Sequence, residues 1–369
     1  MKRSADVFII GGGPAGLAAA IAAKQRGLEV IVADGNRPPV DKPCGEGLMP
    51  DTIAALRQLG VVFEAKDGFP LREINFVDRQ HAVAAKFPNG PGVGLRRTVL
   101  HRKMLDRAEN VGVRFLWSTP VTGIEGELVK LAGRDGVVSR WIVGADGGQS
   151  RVRRWAGLES AGGQKSRIAC RGHFAVTPWS EGVEIYWGDS VQAYVTPVSP
   201  VEVCVVVVSN QPTRDLLSAL SEFPALKQRL NAQRPARPER GAFTTMRSLR
   251  KVCNGNVALI GDASGSVDAI TGEGLSLSFQ QAEALAQAMA ENNLAAYQSA
   301  HRQLARRPTF MARLLLLLNG RPRLRRRTFR AFANHPELFA RLISVHLGET
   351  SPAHFAVTGA MLSWRFLAA

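Results

Sequence analysis

Cysteine is scarce in this 369-residue chain: Cys44, Cys170, Cys204 and Cys253 stand far apart, with no C-x-x-C pair among them. That spacing offers neither a disulfide framework nor a zinc site, so no metal centre is expected and a reducing, cytoplasmic setting fits. Long apolar runs are missing too. No stretch approaches the roughly 18 apolar residues of a membrane-spanning helix. The opening Met1-Lys2-Arg3-Ser4-Ala5-Asp6 runs into a strand with no apolar core or small-residue cleavage site of a signal segment behind it. The chain is therefore expected to be neither secreted nor membrane-spanning. Internal repeats are lacking, and the sole low-complexity feature is a cluster of arginines.

Acidic residues are outnumbered, 31 Asp and Glu against 47 Lys and Arg, for a formal charge of +16. The excess is local. Arg302 to Arg330 holds ten arginines and no acid, leaving +6 for everything else. A basic segment interleaved with Phe310, Leu314 to Leu318 and Phe329 argues against a nucleic-acid groove and for peripheral contact with acidic lipid headgroups or an acidic partner. A solvated helix face over core leucines is the plainer alternative. The remaining composition, 45% apolar and 21% charged, is that of an ordinary chain with a buried core.

What the chain does have begins at once. Asp6 to Ile10 is a short apolar run of the kind that forms a central parallel strand, and Gly11-Gly12-Gly13-Pro14-Ala15-Gly16 follows it directly. Leu17 to Arg26 reads as a helix ended by Gly27, and Glu29 to Ala33 as the next strand, completing a βαβ opening. Further strands are expected at Val111 to Trp117, Arg140 to Val143, Val201 to Val208 and Asn256 to Ile260, and a long helix at Leu275 to Glu291. The stretch from about Arg167 to Met246 is rich in Val, Tyr and Trp without cofactor-like glycines, and suggests a separate β-rich layer.

Gly11, Gly13 and Gly16 satisfy G-x-G-x-x-G. The first glycine makes the tight turn, the second lets backbone approach a pyrophosphate, and the third lets helix and strand pack closely. The helix N-terminus then faces the phosphates. Asp34 closes the second strand, where an acid can accept both ribose hydroxyl hydrogens and would repel a 2′-phosphate. These features suit a nicotinamide as well as a flavin dinucleotide.

Two distant motifs choose between them. Trp141 to Gly147, with Asp146-Gly147 followed by Ser150, Val152 and Arg153, resembles the "DG" motif of the flavoprotein monooxygenase and geranylgeranyl reductase superfamily. Ala258 to Gly265, with Gly261-Asp262, then Thr271-Gly272-Glu273-Gly274, resembles its "GD" motif and the glycine-rich helix start beyond it. The resemblance covers about 270 residues. It implies FAD, with Asp262 on the ribityl chain, the backbone around Gly272 and Gly274 at the ring, and Arg102 starting a helix and contacting phosphate or ribityl oxygens. Lys42-Pro43-Cys44-Gly45-Glu46-Gly47-Leu48 is similar to the geranylgeranyl reductases' loop against the flavin ring. Gly45 and Gly47 let its backbone pack on the ring, and Cys44 and Glu46 are the candidate catalytic groups, the alternative being that both only shape the loop.

The implied fold is α/β: a Rossmann-like FAD-binding domain of glutathione-reductase type, an interleaved β-rich substrate domain and a helical C-terminus. The expected FAD-binding segments are 1–75, 96–160 and 246–291; the β-rich segments are 76–95 and 161–245; and 292–369 is basic and helical. No second strand-linked G-x-G-x-x-G occurs, so NADH or NADPH is expected as a transient reductant. The reductases' Tyr-x-Trp-x-Phe-Pro pattern is absent around Tyr194 to Pro197, and the halogenases' lysine and Trp-x-Trp pattern are absent as well. Hydroxylation of an aromatic, polyketide-like or lipidic molecule is the first expectation. Saturation of prenyl double bonds is the second, and modification of a partner protein the third.

Overall fold

The computed structural model describes residues 3–159, 166–211, 215–231, 235 and 240–349. The parts of the expected segments that fall on 160–165, 212–214, 232–234, 236–239 and 350–369 lie outside the described residues.

The N-terminal strand β1 (Arg3–Ile10) is central because Val7, Phe8 and Ile9 are apolar in succession and fully buried on both faces. It pairs in parallel with β2 (Val30–Ala33) and β11 (Arg134–Gly144). Parallel pairing continues outward to β8 (Arg114–Leu116) and β18 (Val257–Leu259). Three antiparallel strands complete this eight-stranded sheet: β17 (Cys253–Asn254) beside β18, and the hairpin β9 (Val121–Glu125) and β10 (Leu128–Leu131) on β11. The helix α1 (Pro14–Gln25) follows β1 and is buried all round from Leu17 to Ala23, so its alanines give no amphipathic stripe. It lies between α3 (Arg97–Asn110) and α7 (Gly274–Ala290), and α2 (Pro50–Gln58) packs on α7 as well. A fifth helix, α4 (Arg151–Trp155), follows β11.

A second sheet of seven strands runs β16 (Arg240–Thr245), β12 (Ser166–Phe174), β15 (Glu202–Ser209), β14 (Val191–Ser199), β13 (Gly182–Trp187), β5 (Glu73–Val77) and β6 (Ala82–Lys86), antiparallel except where β13 meets β5. The two-residue alternation of its strands decides what covers each face. Val203, Val205 and Val207 of β15 face α5 (Leu216–Ala219) and α6 (Pro224–Arg229), whereas Cys204, Val206 and Val208 face the opposite way. Against that second face pack the C-terminal helices α8 (Leu294–Gly320), α9 (Pro322–Asn334) and α10 (Pro336–His346).

The second sheet also takes up residues ahead of the expected segment 76–95. The strand β5 of the second sheet already begins at Glu73. Gly92–Gly94, β7, instead joins β3 (Gly47–Leu48) and β4 (Phe69–Leu71) in a small three-stranded sheet. Close approach explains why: an added Cβ at Gly94 would stand 1.7 Å from the Pro197 carbonyl oxygen, so only glycine lets β7 lie on β14. The strand expected at Val111 to Trp117 is shortened to β8, because α3 runs on to Asn110 and Gly112, at φ 83°, turns the chain out of it.

Phe76 locks the C-terminal helices to the second sheet, with ring centroids 4.9 Å from Phe339, 5.3 Å from Trp187 and 5.9 Å from Phe329. Phe76→Ala should cost about 3–5 kcal/mol, read as a lower urea midpoint. A change within error would show that this cluster does not hold the helices.

Candidate FAD site and its surroundings

The turn after β1 is built on two glycines that the protein itself requires. Gly11 has φ 115°, and an added Cβ there would lie 2.4 Å from the Ala145 carbonyl oxygen; at Gly16 it would lie 1.9 Å from the Gly11 carbonyl oxygen. Helix α1 can meet β1 and β11 this closely only without those side chains. Gly13 differs: it has ordinary extended geometry, and no atom lies within 4 Å of where its Cβ would be. The same space stands open at Gly45 and Gly274, and at Gly272, whose φ is 68°. The fold explains Gly11 and Gly16. At the others the fold leaves open space between the start of α1 and the start of α7.

Polar groups converge along that path. Asp34 Oδ2 accepts from the Gly12 amide at 2.8 Å and Oδ1 from the Asn36 amide at 2.8 Å, which fixes a half-buried carboxylate with lone pairs left for hydroxyls. Pro14 and Ala15 open α1, whose N-cap has no side-chain partner, so its first N–H groups are free for phosphate oxygens. Gly261, at φ 59°, brings the Gly261-Asp262 turn against this first turn, where its added Cβ would meet Ala15 at 2.8 Å. Asp262 is solvent-accessible, yet desolvation by the protein around it pushes its carboxyl up, opposed by Lys42 and Arg97.

The two aspartate motifs are joined by Arg153. Its Nη1 donates to the Ala263 carbonyl at 3.1 Å and its Nη2 to the Gly148 carbonyl at 2.9 Å. Asp146 turns one oxygen to the Arg151 and Val152 amides and so caps α4, while its Oδ1 is buried without a protein partner. Beyond Asp262, Ser264 Oγ bonds the Gly261 carbonyl and the ring of His301 on α8, at 2.8 and 2.9 Å.

Arg102 does not start a helix. It occupies the second turn of α3 on the exposed face, and the arginine at the helix start is Arg97, buried, with its Nε lacking a partner. Arg97 and His101 were missed by sequence reasoning, although the pair lies on one helix face at i and i+4. His101 is fully buried and bonds the Gly12 carbonyl at 2.8 Å. Burial lowers its pKa, so the ring is neutral and Nε2 is the donor.

The loop from Asp41 to Leu48 is anchored by Glu46, which is 2% exposed and held at φ 58°. Its Oε1 accepts from the Arg97 amide at 3.0 Å and Arg171 Nη1 at 3.1 Å, and its Oε2 lies 2.7 Å from His173 Nε2. Arg171 also donates to both oxygens of Asp41, at 3.0 and 2.9 Å. Burial would raise the Asp41 carboxyl, but the Arg171 guanidinium holds it below the usual range. Glu46, His173 and Cys204 bring metal-ligand atoms within 4.8 Å of one another. With Arg171 sharing the same carboxylate oxygen, they form a hydrogen-bonded cluster in which a permanent cation already sits. Cys44 is half-buried; its Sγ accepts from the Glu46 amide at 3.4 Å.

At the other end, Glu273 is 5% exposed and meets Arg307 of α8 at 3.4 Å and His346 of α10 at 3.5 Å, so the C-terminal helices grip the glycine-rich loop. Burial raises its carboxyl, and His346 and Arg307 oppose the rise. Asp268 caps the Ile270 amide and is itself clasped by Arg167 of β12, which also donates to Gln192 at 2.9 Å. Next to this clasp Ala169, Tyr194 and Val206 are buried in the core that the second sheet shares with the C-terminal helices, with the half-buried Met49 and Met246 packed against it.

Residues 4–305 match the family described as FAD binding domain, so the chain belongs to that family and is an FAD-dependent oxidoreductase. It is 28% identical over 320 residues to the menaquinone reductase of Mycobacterium tuberculosis, spanning 79% of this chain and 78% of that protein. It is 28% identical over 314 residues to digeranylgeranylglycerophospholipid reductase 1 of Methanothermobacter thermautotrophicus, spanning 74% of each. Among solved structures, a probable FAD-dependent monooxygenase of Pseudomonas aeruginosa, PqsL, superposes with a TM-score of 0.71 at 22% identity, covering 86% of this chain and 95% of that one. That likeness is one of fold. The residues fit the cofactor: open space at Gly13, Gly45 and Gly274, and buried polar atoms of Arg97 and Asp146 without protein partners.

Gly13→Ala should leave thermal stability unchanged within error and weaken FAD uptake at least tenfold, measured by fluorescence titration, whereas Gly16→Ala should fail to fold stably. Equal losses of stability would refute the distinction. Burial of His301 lowers its pKa from 6.5 to about 4. The neutral ring is favoured in the folded state, so stability is fully present above pH 6.5 and is lost as pH falls toward 4. In urea titrations over that window, His301→Gln should show a shallower loss by about one proton.

Proposed function

We propose that this enzyme saturates isolated double bonds in the isoprenoid chain of a lipid or quinone, with FAD reduced in turn by transiently bound NADH or NADPH. The observation that carries the reading is the shared chemistry of two relatives matched over about three quarters of the chain. Menaquinone and digeranylgeranylglycerophospholipid both carry a polyisoprenoid chain on a polar head.

Within this reading the cofactor-binding set is Gly11, Gly13, Pro14, Ala15, Gly16, Asp34, Gly45, Asp146, Gly261, Asp262, Gly272 and Gly274, with Arg97 in the place expected for Arg102. When bound and reduced by NADH or NADPH, FAD would supply a hydride to one carbon of the double bond, and the other carbon would take a proton from solvent. Glu46 anchors the loop rather than moving that proton, because its carboxylate is buried and shared among three donors. Cys44, the half-buried thiol of the same loop, positions the ring edge. The N-terminus of α7 favours negative charge on the reduced ring. No helix among the described residues is long and apolar enough to cross a membrane. The enzyme meets its lipid peripherally, through the segment Arg302–Arg330.

Incubated without dioxygen, with NADPH or NADH and menaquinone or a digeranylgeranyl lipid, the enzyme should yield a product heavier by two hydrogens per double bond, read by mass spectrometry. Turnover that requires dioxygen and adds an oxygen atom would overturn the proposal in favour of hydroxylation. Cys44→Ala should shift the flavin absorption and slow turnover severalfold; no change in either would make the loop structural only.

A further inference from the structure

We infer that the outer face of α8 is a docking surface for an anionic lipid bilayer. Its exposed positions Arg306, Phe310, Arg313 and Leu317 recur at intervals of three and four residues, which places them on one stripe of the helix, and the exposed Arg321 follows just past its end. The opposite side, with Met311, Ala312, Leu315 and Leu318, is buried in the core shared with the second sheet. Arginine and apolar side chains thus alternate along a single exposed line. Phe310 is 46% and Leu317 42% exposed, two of five large apolar side chains so exposed among the described residues. The arginines of the stripe form no ion pair with a carboxylate among the described residues. Positive charge runs on into α9, where Arg323 and three more exposed arginines lie opposite the buried Phe329 and Phe332.

A face meant for water has no use for the exposed Leu317, and a face meant for a nucleic-acid backbone has no use for apolar groups between its cations. Charges that meet headgroups, with apolar side chains that enter the layer beneath, match the interface of a membrane. The placement also serves the chemistry. The inner side of α8 packs against Ala269–Thr271 and carries Arg307 to Glu273, so one helix thickness, about 10 Å, separates the bilayer from the glycine-rich loop.

This inference rests on the lipid-substrate reading only for its purpose, and its test needs no turnover. The full-length, FAD-loaded protein is sedimented with vesicles of phosphatidylcholine alone or mixed with phosphatidylglycerol. It should partition onto the mixed vesicles at least tenfold more strongly, and the binding should fall as salt rises. Arg313→Glu with Arg321→Glu should remove that preference while the melting curve and flavin spectrum stay as in the parent, and Leu317→Ser should weaken binding severalfold at moderate salt. Equal partition onto both vesicle types, unchanged binding by the double variant, or capture by duplex DNA without capture by anionic vesicles would overturn the inference. Vesicle binding without reductase activity would keep the docking surface and sink the proposed reaction instead.

Discussion

One buried carboxylate ties the flavin loop to the rest of the molecule. Glu46 receives the first amide of α3, the guanidinium of Arg171 and the ring of His173, so it joins the loop, the helix behind the dinucleotide turn and strand β12 of the second sheet at a single point. The helix end gains an acceptor for an N–H its own residues leave unsatisfied, and the negative charge lies at the positive end of the helix dipole. Losing one partner of such a buried cluster typically costs about 3–5 kcal/mol because the remaining charge is left uncompensated. Glu46 accepts a left-handed backbone at φ 58° to reach this position. The geometry of everything that faces the loop, from Cys44 to Arg97, depends on that contact.

The dinucleotide-binding half was legible because its requirements are local. A strand, a turn that admits only glycine at Gly11 and Gly16, and an acid at the end of the next strand are written within 34 residues, and the distant Asp146 and Asp262 carry short motifs of their own. The choice of Arg102 failed for a reason equally local. Arg96-Arg97-Thr-Val-Leu-His-Arg102 offers arginines at both ends of a short helical stretch, and only the position of the helix start decides which one turns inward. Partners of Glu46 lie 125 and 127 residues away, and nothing in their sequence neighbourhood announces the pairing.

The C-terminal region was legible in composition but not in consequence. The arginine run was visible as a basic helical segment, yet the sequence could not show that α8 turns one side to the glycine-rich loop and the other outward. Nor could it show that His346 and Arg307 meet at Glu273. Charge patterning records which residues are wet; it does not record what the dry side touches. The β-rich layer behaved similarly: its valines announced strands, while the assignment of Gly92–Gly94 to a separate small sheet followed from a backbone approach at Pro197.

The wide spacing of the cofactor's contacts also has a consequence in time. The βαβ unit leaves the ribosome first, but Gly272 and Gly274 are made more than 250 residues later. At about 5–20 residues per second, a nascent chain spends on the order of 10–50 s with the adenosine half of its site complete and the ring half not yet synthesised. A site that spans both halves therefore cannot close before α7 is made, and the alanine-lined α1 must wait for α7 before its second flank is covered.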